Sequence, residues 1–282
     1  MADIHVPSSL DEVFRLLREE PSARLFAGGT DVMVRSFPEA LRTGPLLCLE
    51  RVEELRGVDE AVTEVRVGAA TTLSELIASP LVADLFPLLR EAARHIGAPA
   101  VRNMGTLGGN ICTASPAGDT LPPLYVLDAE VELRSLKGRR RMPIGAFISG
   151  PGRTRLEEGE VLCAVMIGKE QGFNFHHFEK VGQRKAMAIS VASLAFAARI
   201  DGDGTIVKAR CAFGSVAPTV FTSPVLDDTF SGNTLNRAVL DRAAAIVHEG
   251  VNPISDIRAS MEYRRQVAGN LIMRLEGAGK DR

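Results

Sequence analysis

Residues 102–120 read RNMGTLGGNICTASPAGDT, and this stretch decides how the chain is interpreted. It has glycine, asparagine, serine and threonine where a helix or strand needs strong formers, so we predict a long loop over residues 101–119. A glycine pair within it is flanked by Thr106 and Asn110, whose side chains can bond phosphate oxygens or the edge of a ring. Because ordered loops of this length usually carry a function, the stretch predicts a binding site.

The residues that follow the glycine pair extend this prediction. Ile111 is an apolar residue suited to contact with a flat aromatic surface. Asp119 ends the loop and is placed to cap a helix through residues 124–127.

A second glycine pair lies upstream, in residues 25–32, which read LFAGGTDV. Gly28 and Gly29 follow a predicted strand over residues 24–27, and without Cβ atoms they let successive backbone N–H groups point at one anion. Thr30 adds a hydroxyl donor. Asp31 has the wrong charge for a phosphate, so we expect it to cap the following residues or to accept from a ribose or ribityl hydroxyl.

Alone, a glycine pair after a strand is more often only a turn. Two such loops in one domain suit a long ligand with an extended diphosphate, which indicates a dinucleotide. Neither loop has the spacing of a Rossmann turn or the lysine of a phosphate-binding P-loop, so a different fold is predicted.

The rest of the chain alternates short helices and strands. Helices are predicted from residue 10, capped by Ser9, to near Pro21, and over residues 73–78, 85–95, 236–249 and 257–275. Strands are predicted over residues 46–49, 65–67, 126–133, 161–168 and 173–180, with 189–200 a buried strand or helix and a hairpin turn at 201–204. A polar, glycine-flanked joint at residues 169–173 predicts a domain boundary.

Composition excludes several classes of protein. The chain has 282 residues and a net charge of -2, which favours neither a nucleic-acid nor an anionic-membrane partner. Its four cysteines lie far apart, so we expect no metal or iron–sulfur cluster of its own and reduced thiols in the cytoplasm. We also expect no signal peptide and no membrane span.

Three further features are interpreted as structural. Adjacent strand residues face opposite ways, so His176 and His177 are not expected to converge on one ion. The run Arg139 to Arg141 is expected to be a solvated turn, with partner docking as the alternative. Cys112 is expected to be a small packed residue rather than a redox group.

Taken together, these segments resemble the FAD-binding medium subunits of xanthine dehydrogenases, carbon monoxide dehydrogenases and related molybdenum hydroxylases. The resemblance rests on FAGGTD at residues 26–31, on RNMGTLGGNICTASPAGDTLP at residues 102–122, and on the spacing of Phe178, Lys180, Arg184 and Ile189. It covers practically the whole chain. The second loop is its most specific part.

The resemblance implies an α+β fold in two domains. A vanillyl-alcohol-oxidase (PCMH)-type FAD-binding domain of two α/β subdomains is expected over residues 1–170, and a smaller α/β C-terminal domain over residues 171–282. FAD is the cofactor expected in this chain. The molybdenum cofactor and 2Fe-2S clusters are expected only in partner subunits.

Carried over onto this sequence, the resemblance implies a set of FAD-contacting residues, with no catalytic side chain and no metal ligand. The first glycine loop would wrap the adenosine diphosphate, the second would line the diphosphate, ribityl chain and flavin edges, and Lys180 would be the cation near the flavin. Ile96 lies where the family often places an aromatic residue. The full set is Leu25, Phe26, Ala27, Gly28, Gly29, Thr30, Asp31, Val32, Ile96, Thr106, Gly109, Asn110, Ile111, Ser115, Asp119, Leu162 and Lys180.

The resemblance also implies an oxidoreductase subunit of the xanthine or purine dehydrogenase type, in a cytoplasmic heterotrimer. It would take electrons from an iron–sulfur small subunit, beside a molybdenum large subunit that hydroxylates a heteroaromatic substrate, and pass them to NAD⁺ or another acceptor. Residues 147–162, FISGPGRTRLEEGEVL, look closer to bacterial purine hydroxylases than to carbon monoxide enzymes. The alternatives are a carbon monoxide dehydrogenase-like or other N-heterocycle or aldehyde hydroxylase subunit, a free-standing flavoprotein, and a non-catalytic scaffold.

Overall fold

The computed structural model describes residues 3–35 and 44–278. Its strands are β1 (Ile4–His5), β2 (Arg24–Phe26), β3 (Leu46–Cys48), β4 (Val58–Glu60), β5 (Glu64–Gly68), β6 (Glu130–Ser135), β7 (Gly138–Pro143), β8 (Ile148–Gly150), β9 (Arg153–Thr154), β10 (Val161–Gly168), β11 (Phe175–Val181), β12 (Ala192–Ile200) and β13 (Ile206–Gly214). Its helices are α1 (Leu10–Glu19), α2 (Val32–Arg35), α3 (Leu73–Ala78), α4 (Pro80–Leu85), α5 (Pro87–Arg94), α6 (Pro99–Arg102), α7 (Leu107–Thr113), α8 (Leu121–Val126), α9 (Ile144–Phe147), α10 (Pro224–Phe230), α11 (Arg237–Gly250), α12 (Met261–Met273) and α13 (Leu275–Ala278), with a 3-10 turn at Glu53–Leu55.

The first predicted helix is present as α1. Ser9 caps it, since its hydroxyl accepts a hydrogen bond from the Glu12 N–H at 3.3 Å. The segment 189–200, left open between strand and helix, contains strand β12. The predicted hairpin is confirmed, because Ile200 pairs with Ile206 across the turn between β12 and β13.

Three sequence predictions about secondary structure are wrong. The run Arg139 to Arg141, predicted as a turn, lies in strand β7 and pairs with β6, and the turn is at residues 136–137. Residues 101–119 are not a continuous loop, because α6 ends and α7 lies within them. The strand predicted over residues 126–133 begins only at Glu130, since helix α8 extends to Val126. Helix α7 forms from residues of low helix propensity because its N-terminus is capped. The Thr106 hydroxyl accepts a hydrogen bond from the Gly109 N–H at 3.0 Å.

The chain divides into two compact units, each built from separate segments. Unit 1 comprises Met1–Leu85, Gly97–Ala114 and Ala129–Lys169, and unit 2 comprises Phe86–Ile96, Ser115–Asp128 and Glu170–Arg282. A compact unit need not fold alone, so the domains expected at residues 1–170 and 171–282 remain a proposal.

Unit 1 contains two α/β halves, as expected for the predicted fold class. In one, the parallel sheet β1-β3-β2 carries α1, whose buried face includes Val13, Phe14 and Leu17. That face belongs to one apolar core with Leu47 and Cys163. In the other half, β4-β5-β10-β6-β7 form an antiparallel sheet.

Unit 2 contains the antiparallel sheet β11-β12-β13. Its core joins the inner face of β12, including Leu194 and Phe196, to Leu240 on α11 and Leu271 on α12. The Phe196 ring packs edge-on against Phe230 of α10, with ring centroids 5.1 Å apart. This sheet and its helices therefore share one apolar core.

A buried guanidinium fixes the connection between α11 and α12. Arg264 is 4% exposed and donates to the carbonyl oxygens of Val191 (2.7 Å) and Ser215 (3.3 Å) and to the Asp256 carboxylate (2.8 Å). Desolvation alone would raise the pKa of Asp256, but hydrogen bonds from the Arg258 N–H and from Arg264 lower it far below its usual value. Asp256 is therefore ionised and holds its loop against the ends of β12 and β13.

We predict that Arg264→Met destabilises the fold by about 3–5 kcal/mol, because it leaves two carbonyl oxygens and a partly buried carboxylate without their cation. Arg237→Met is the matched control: Arg237 also pairs with an aspartate, but its side chain is 69% exposed, so the expected loss is under about 1 kcal/mol. Urea denaturation followed by circular dichroism measures both. Equal losses would contradict the role given to Arg264.

Candidate functional site

The first glycine loop has open backbone donors. Among the described residues, no protein acceptor faces the N–H groups of Gly28, Gly29 or Thr30. Gly29 has a φ of +69°, in the left-handed region, which lets successive N–H groups turn towards one side. This geometry leaves the three N–H groups available to an anion, and the predicted binding role stays a prediction.

The two glycine loops lie against each other within unit 1. A Cβ atom on Gly28 would lie 1.6 Å from the carbonyl oxygen of Met104, so only glycine fits there. A Cβ atom on Gly105 would lie 3.4 Å from the Thr30 hydroxyl oxygen. The fold therefore brings together two segments that are far apart in the sequence.

The second glycine pair has a different role from the first. The Gly108 N–H donates to the carbonyl oxygen of Ala69 at 2.8 Å, and the Gly109 N–H is used by the Thr106 cap. A Cβ atom on Gly108 would lie 2.6 Å from the Ala69 Cβ atom. The prediction of a second phosphate-binding nest at this pair is therefore wrong: these glycines allow close packing and capping at the start of α7.

A small cleft of about 70 Å³ opens where the loops meet. Two charged residues, Glu50 and Arg56, line it, and Arg56 donates from Nη2 to the Glu75 carboxylate at 2.6 Å. No motif signals Arg56, which explains why sequence reasoning missed it. The lining residues are Ala27, Gly28, Glu50, Arg56, Ala70, Thr72, Asn103, Met104 and Thr106.

Three other predicted residues of unit 1 have protein partners or are buried. The Asp31 carboxylate accepts a hydrogen bond from the Thr113 hydroxyl at 3.1 Å, so it ties the first loop to the end of α7. The Ile111 side chain is 0% exposed, so no face of it is open to a ligand. It packs in the core, which corrects its predicted contact with the flavin. Leu162, on β10, is 4% exposed.

Unit 2 holds a buried ion pair. Lys180, on β11, donates from Nζ to Asp119 Oδ2 at 2.5 Å and to the His95 carbonyl oxygen at 3.0 Å. The two charged side chains are 6% and 7% exposed. Lys180 is thus not a surface lysine, and Asp119 does not cap a helix as predicted; the residue at the start of α8 is Thr120.

The carboxylate of this pair has an unused oxygen. Asp119 Oδ1 is buried and has no hydrogen-bond partner among the described residues. Desolvation raises the pKa of Asp119 to about 6, against the lowering effects of Lys180 and His95. Because an unpaired buried acceptor costs about 1–3 kcal/mol, this oxygen suits a hydrogen-bond donor from a ligand.

The predicted FAD residues therefore fall into two sets, one in each unit. Ser115 makes a local turn in unit 2, since its hydroxyl accepts from the Ala117 N–H at 3.3 Å. Unit 1 contains Leu25, Phe26, Ala27, Gly28, Gly29, Thr30, Asp31, Val32, Thr106, Gly109, Asn110, Ile111 and Leu162, and unit 2 contains Ile96, Ser115, Asp119 and Lys180.

The features interpreted as structural have ordinary surroundings. Arg140 makes two hydrogen bonds of 2.7 Å to Glu160, and Arg141 pairs with Glu64 at 3.0 Å, so most of this basic run is neutralised. Burial raises the pKa of the Cys112 thiol to about 12.

Over residues 3–35 and 44–278, no three His, Cys, Asp or Glu side chains are arranged to hold a metal ion. Each helix in these ranges falls short of a membrane span in length or apolarity.

Comparison with protein families gives two matches along the chain. Residues 1–169 match the FAD binding domain in molybdopterin dehydrogenase, and residues 177–276 match the CO dehydrogenase flavoprotein C-terminal domain. A putative xanthine dehydrogenase FAD-binding subunit of Escherichia coli K12 is 35% identical over 93% of this chain and 90% of its own length. The carbon monoxide dehydrogenase medium chain of Hydrogenophaga pseudoflava is 31% identical, over 96% and 94%.

Solved structures agree with these matches. A chain of quinoline 2-oxidoreductase from Pseudomonas putida 86 superposes with a TM-score of 0.93 at 28% identity, covering 99% of this chain and 97% of that one. A chain of carbon monoxide dehydrogenase from Hydrogenophaga pseudoflava, lacking the molybdenum-pyranopterin moiety, gives 0.91 at 30% identity with the same coverage. The expected α+β fold class is confirmed.

We predict that Gly28→Ala destabilises the protein by about 3 kcal/mol or more, because the new methyl group must displace the Met104 backbone. Gly29→Ala is the matched control: its Cβ atom meets nothing closer than 3.8 Å, so only the left-handed φ adds a cost, about 1–2 kcal/mol. Urea denaturation of the two variants measures the difference. If Gly28→Ala were the milder change, the close approach of the loops would be refuted.

Proposed function

The chain belongs to the FAD-binding medium subunits of the molybdenum hydroxylase family, and we propose that it is the subunit through which electrons leave such a complex. In this proposal it accepts electrons from the iron–sulfur small subunit, beside a molybdenum large subunit, and passes them to NAD⁺ or another acceptor. A cytoplasmic heterotrimer is the proposed setting. The observation that carries the proposal is the buried Lys180–Asp119 pair with its unused carboxylate oxygen.

The donors and acceptors of the chain fit FAD. The open N–H groups of Gly28, Gly29 and Thr30, with the Thr30 hydroxyl, suit the oxygens of a diphosphate. In unit 2, Asp119 Oδ1 suits a hydroxyl or N–H donor of a ligand. When bound, FAD supplies the capacity to take up electrons and release them to an acceptor.

Lys180 has the role of an electrostatic stabiliser in this proposal. Its ammonium group is held in one position by Asp119 and by the carbonyl oxygen of His95, so it does not have to reorganise when charge develops nearby. In a buried site of low dielectric, such a cation favours negative charge on a bound group. Asp119 keeps the cation compensated while the site is neutral.

The same pair counts against the scaffold alternative. A chain that no longer bound a cofactor would still carry the desolvation cost of this ion pair, whose two side chains are only 6% and 7% exposed. It would also carry the cost of one unpaired carboxylate oxygen. Replacement of both residues by apolar ones would remove that cost. Presence of the pair therefore supports a working binding site over a scaffold.

Within the molybdenum hydroxylase family, we assign the chain to the xanthine or purine type. Identity to the Escherichia coli xanthine dehydrogenase subunit is 35%, against 31% to the carbon monoxide dehydrogenase chain of Hydrogenophaga pseudoflava. This difference supports a purine or another N-heterocycle as the substrate of the complex. In every case the substrate pocket is proposed to lie in the molybdenum subunit.

We predict that the purified chain is yellow and releases FAD on heating, and that Thr30→Asp lowers the affinity for FAD at least about tenfold, because it sets a carboxylate among donors meant for a diphosphate. Thr30→Ser keeps the hydroxyl and is expected to keep the FAD. Absorption spectra and chromatography of the released chromophore measure both variants. A colourless wild-type chain that takes up no added FAD would move the scaffold alternative into first place.

We predict that Lys180→Gln retains FAD but lowers its two-electron midpoint potential by about 20–60 mV, which corresponds to the loss of one charge-assisted interaction of about 1–3 kcal/mol. Lys137→Gln, on an exposed turn, is the control and is expected to leave the potential unchanged. A redox titration with a reference dye measures the shift. An unchanged potential in Lys180→Gln would remove the tuning role of this lysine.

A further inference from the structure

The imidazole of His95 is a neighbour of the buried Lys180–Asp119 pair in unit 2. His95 follows the last turn of α5, and its backbone carbonyl oxygen accepts from Lys180 Nζ at 3.0 Å. Its ring packs against the ring of Phe178 on β11, with centroids 5.6 Å apart. The backbone of His95 therefore contacts the pair, and an aromatic contact holds the ring close to it.

Exposure to solvent increases along a short series of titratable side chains. Asp119 and Lys180 are 7% and 6% exposed. The His95 side chain is 39% exposed, and Glu91, which pairs with it at 3.2 Å, is 45% exposed. His95 also acts electrostatically on Asp119. The series thus leads from solvent, through an imidazole, to a buried carboxyl group.

Asp119 has an atom that can hold a proton. Oδ2 accepts from Lys180, while Oδ1 is buried without a partner among the described residues. Desolvation raises the pKa of Asp119 to about 6, so its protonated form is accessible near neutral pH. Negative charge that develops nearby raises this pKa further, because like charges disfavour the carboxylate. Lys180 cannot respond in this way, since an ammonium group has no site for another proton.

The other titratable groups of β11 do not compete with Asp119 for this proton. His177 and Glu179 pair with each other at 3.4 Å and alternate with Lys180 along the strand, so they point to its opposite face. His176 shares the face of Lys180 but lies four residues away, about 13 Å along the strand.

The two helices near the pair add no competing group. On α5, Arg94 pairs with Glu91 at 3.5 Å, which compensates part of the charge of that carboxylate. On α8, burial raises the pKa of Tyr125 to about 12, so this side chain stays neutral near neutral pH. Asp119 is therefore the group that responds to a change of charge beside the lysine.

We propose that Asp119 binds a proton at Oδ1 when negative charge develops beside Lys180, and that the His95 imidazole carries this proton from solvent. The inference rests on the proposed function for the source of the charge, which is electrons from the iron–sulfur subunit. One N–H bond of the imidazolium breaks and one O–H bond forms on the carboxylate, and the imidazole takes another proton from solvent. Lys180 then loses its counter-ion, so its whole charge acts on the bound group.

The test is infrared difference spectroscopy of the FAD-loaded chain, reduced at an electrode. Reduction is expected to produce the C=O stretching band of a protonated carboxylic acid, and carbon-13 labelling of aspartate is expected to shift it. Asp119→Asn removes the band. Asp227→Asn is the matched control and keeps it: desolvation also raises the pKa of Asp227 to about 6, but its Oδ1 already accepts from the Cys211 N–H.

His95→Gln tests the route, because it retains the backbone carbonyl oxygen that holds Lys180. After a light pulse that reduces the flavin, the band is expected to form at least about tenfold more slowly and to recover its rate when imidazole is added. His248 is an exposed histidine of α11, so His248→Gln is the control and is expected to keep the wild-type rate.

Two outcomes would overturn the proton-binding role of Asp119: no carboxylic acid band in the wild type, or a band that persists in Asp119→Asn. The labelled wild type gives an answer even if that variant does not fold. An unchanged rate in His95→Gln would overturn the route. A failure of the proposed function is distinct, because the chain would then carry no FAD and the flavin bands would be missing from the same spectrum.

Discussion

The close approach of the Gly28 backbone to the Met104 carbonyl oxygen is the constraint on which the rest of unit 1 depends. It leaves no room for any side chain at residue 28 and sets the two glycine loops side by side. The loops then differ in chemistry, since the first keeps its N–H donors open while those of the second pair are used in the fold. The first loop therefore has donors available to a ligand, and the second holds it in place.

Sequence reasoning worked where the signal is local or belongs to a whole-chain resemblance. The Ser9 cap, the hairpin between β12 and β13 and the fold class follow from such signals. It failed where distant contacts decide. Helix α7 forms in a stretch of weak formers because a cap and the contact with Ala69 offset their low propensity. Asp119 serves Lys180, 61 positions along the chain, which no local pattern reveals.

Unit 2 contains two buried cations that are handled differently. Arg264 uses its donors on two carbonyl oxygens and a carboxylate that lie at the ends of several elements, so it works as a structural pin. Lys180 faces a carboxylate that has an oxygen left over. Arg264 Nε is also buried without a partner among the described residues, so incomplete pairing alone does not mark a binding site. The two cations differ in their main partners, since Arg264 pins backbone carbonyl oxygens whereas Lys180 faces a carboxylate whose second oxygen can accept from another molecule.

The discontinuous build of the two units has a consequence for biosynthesis. Helices α5 and α8 emerge from the ribosome well before β11, β12 and β13, the strands they pack against in unit 2. Until the later part of the chain is made, their apolar faces have no partner, and contacts so distant in sequence close slowly. The nascent chain therefore passes through a stage in which two buried segments are exposed, and a protein truncated after residue 170 would stay in that stage.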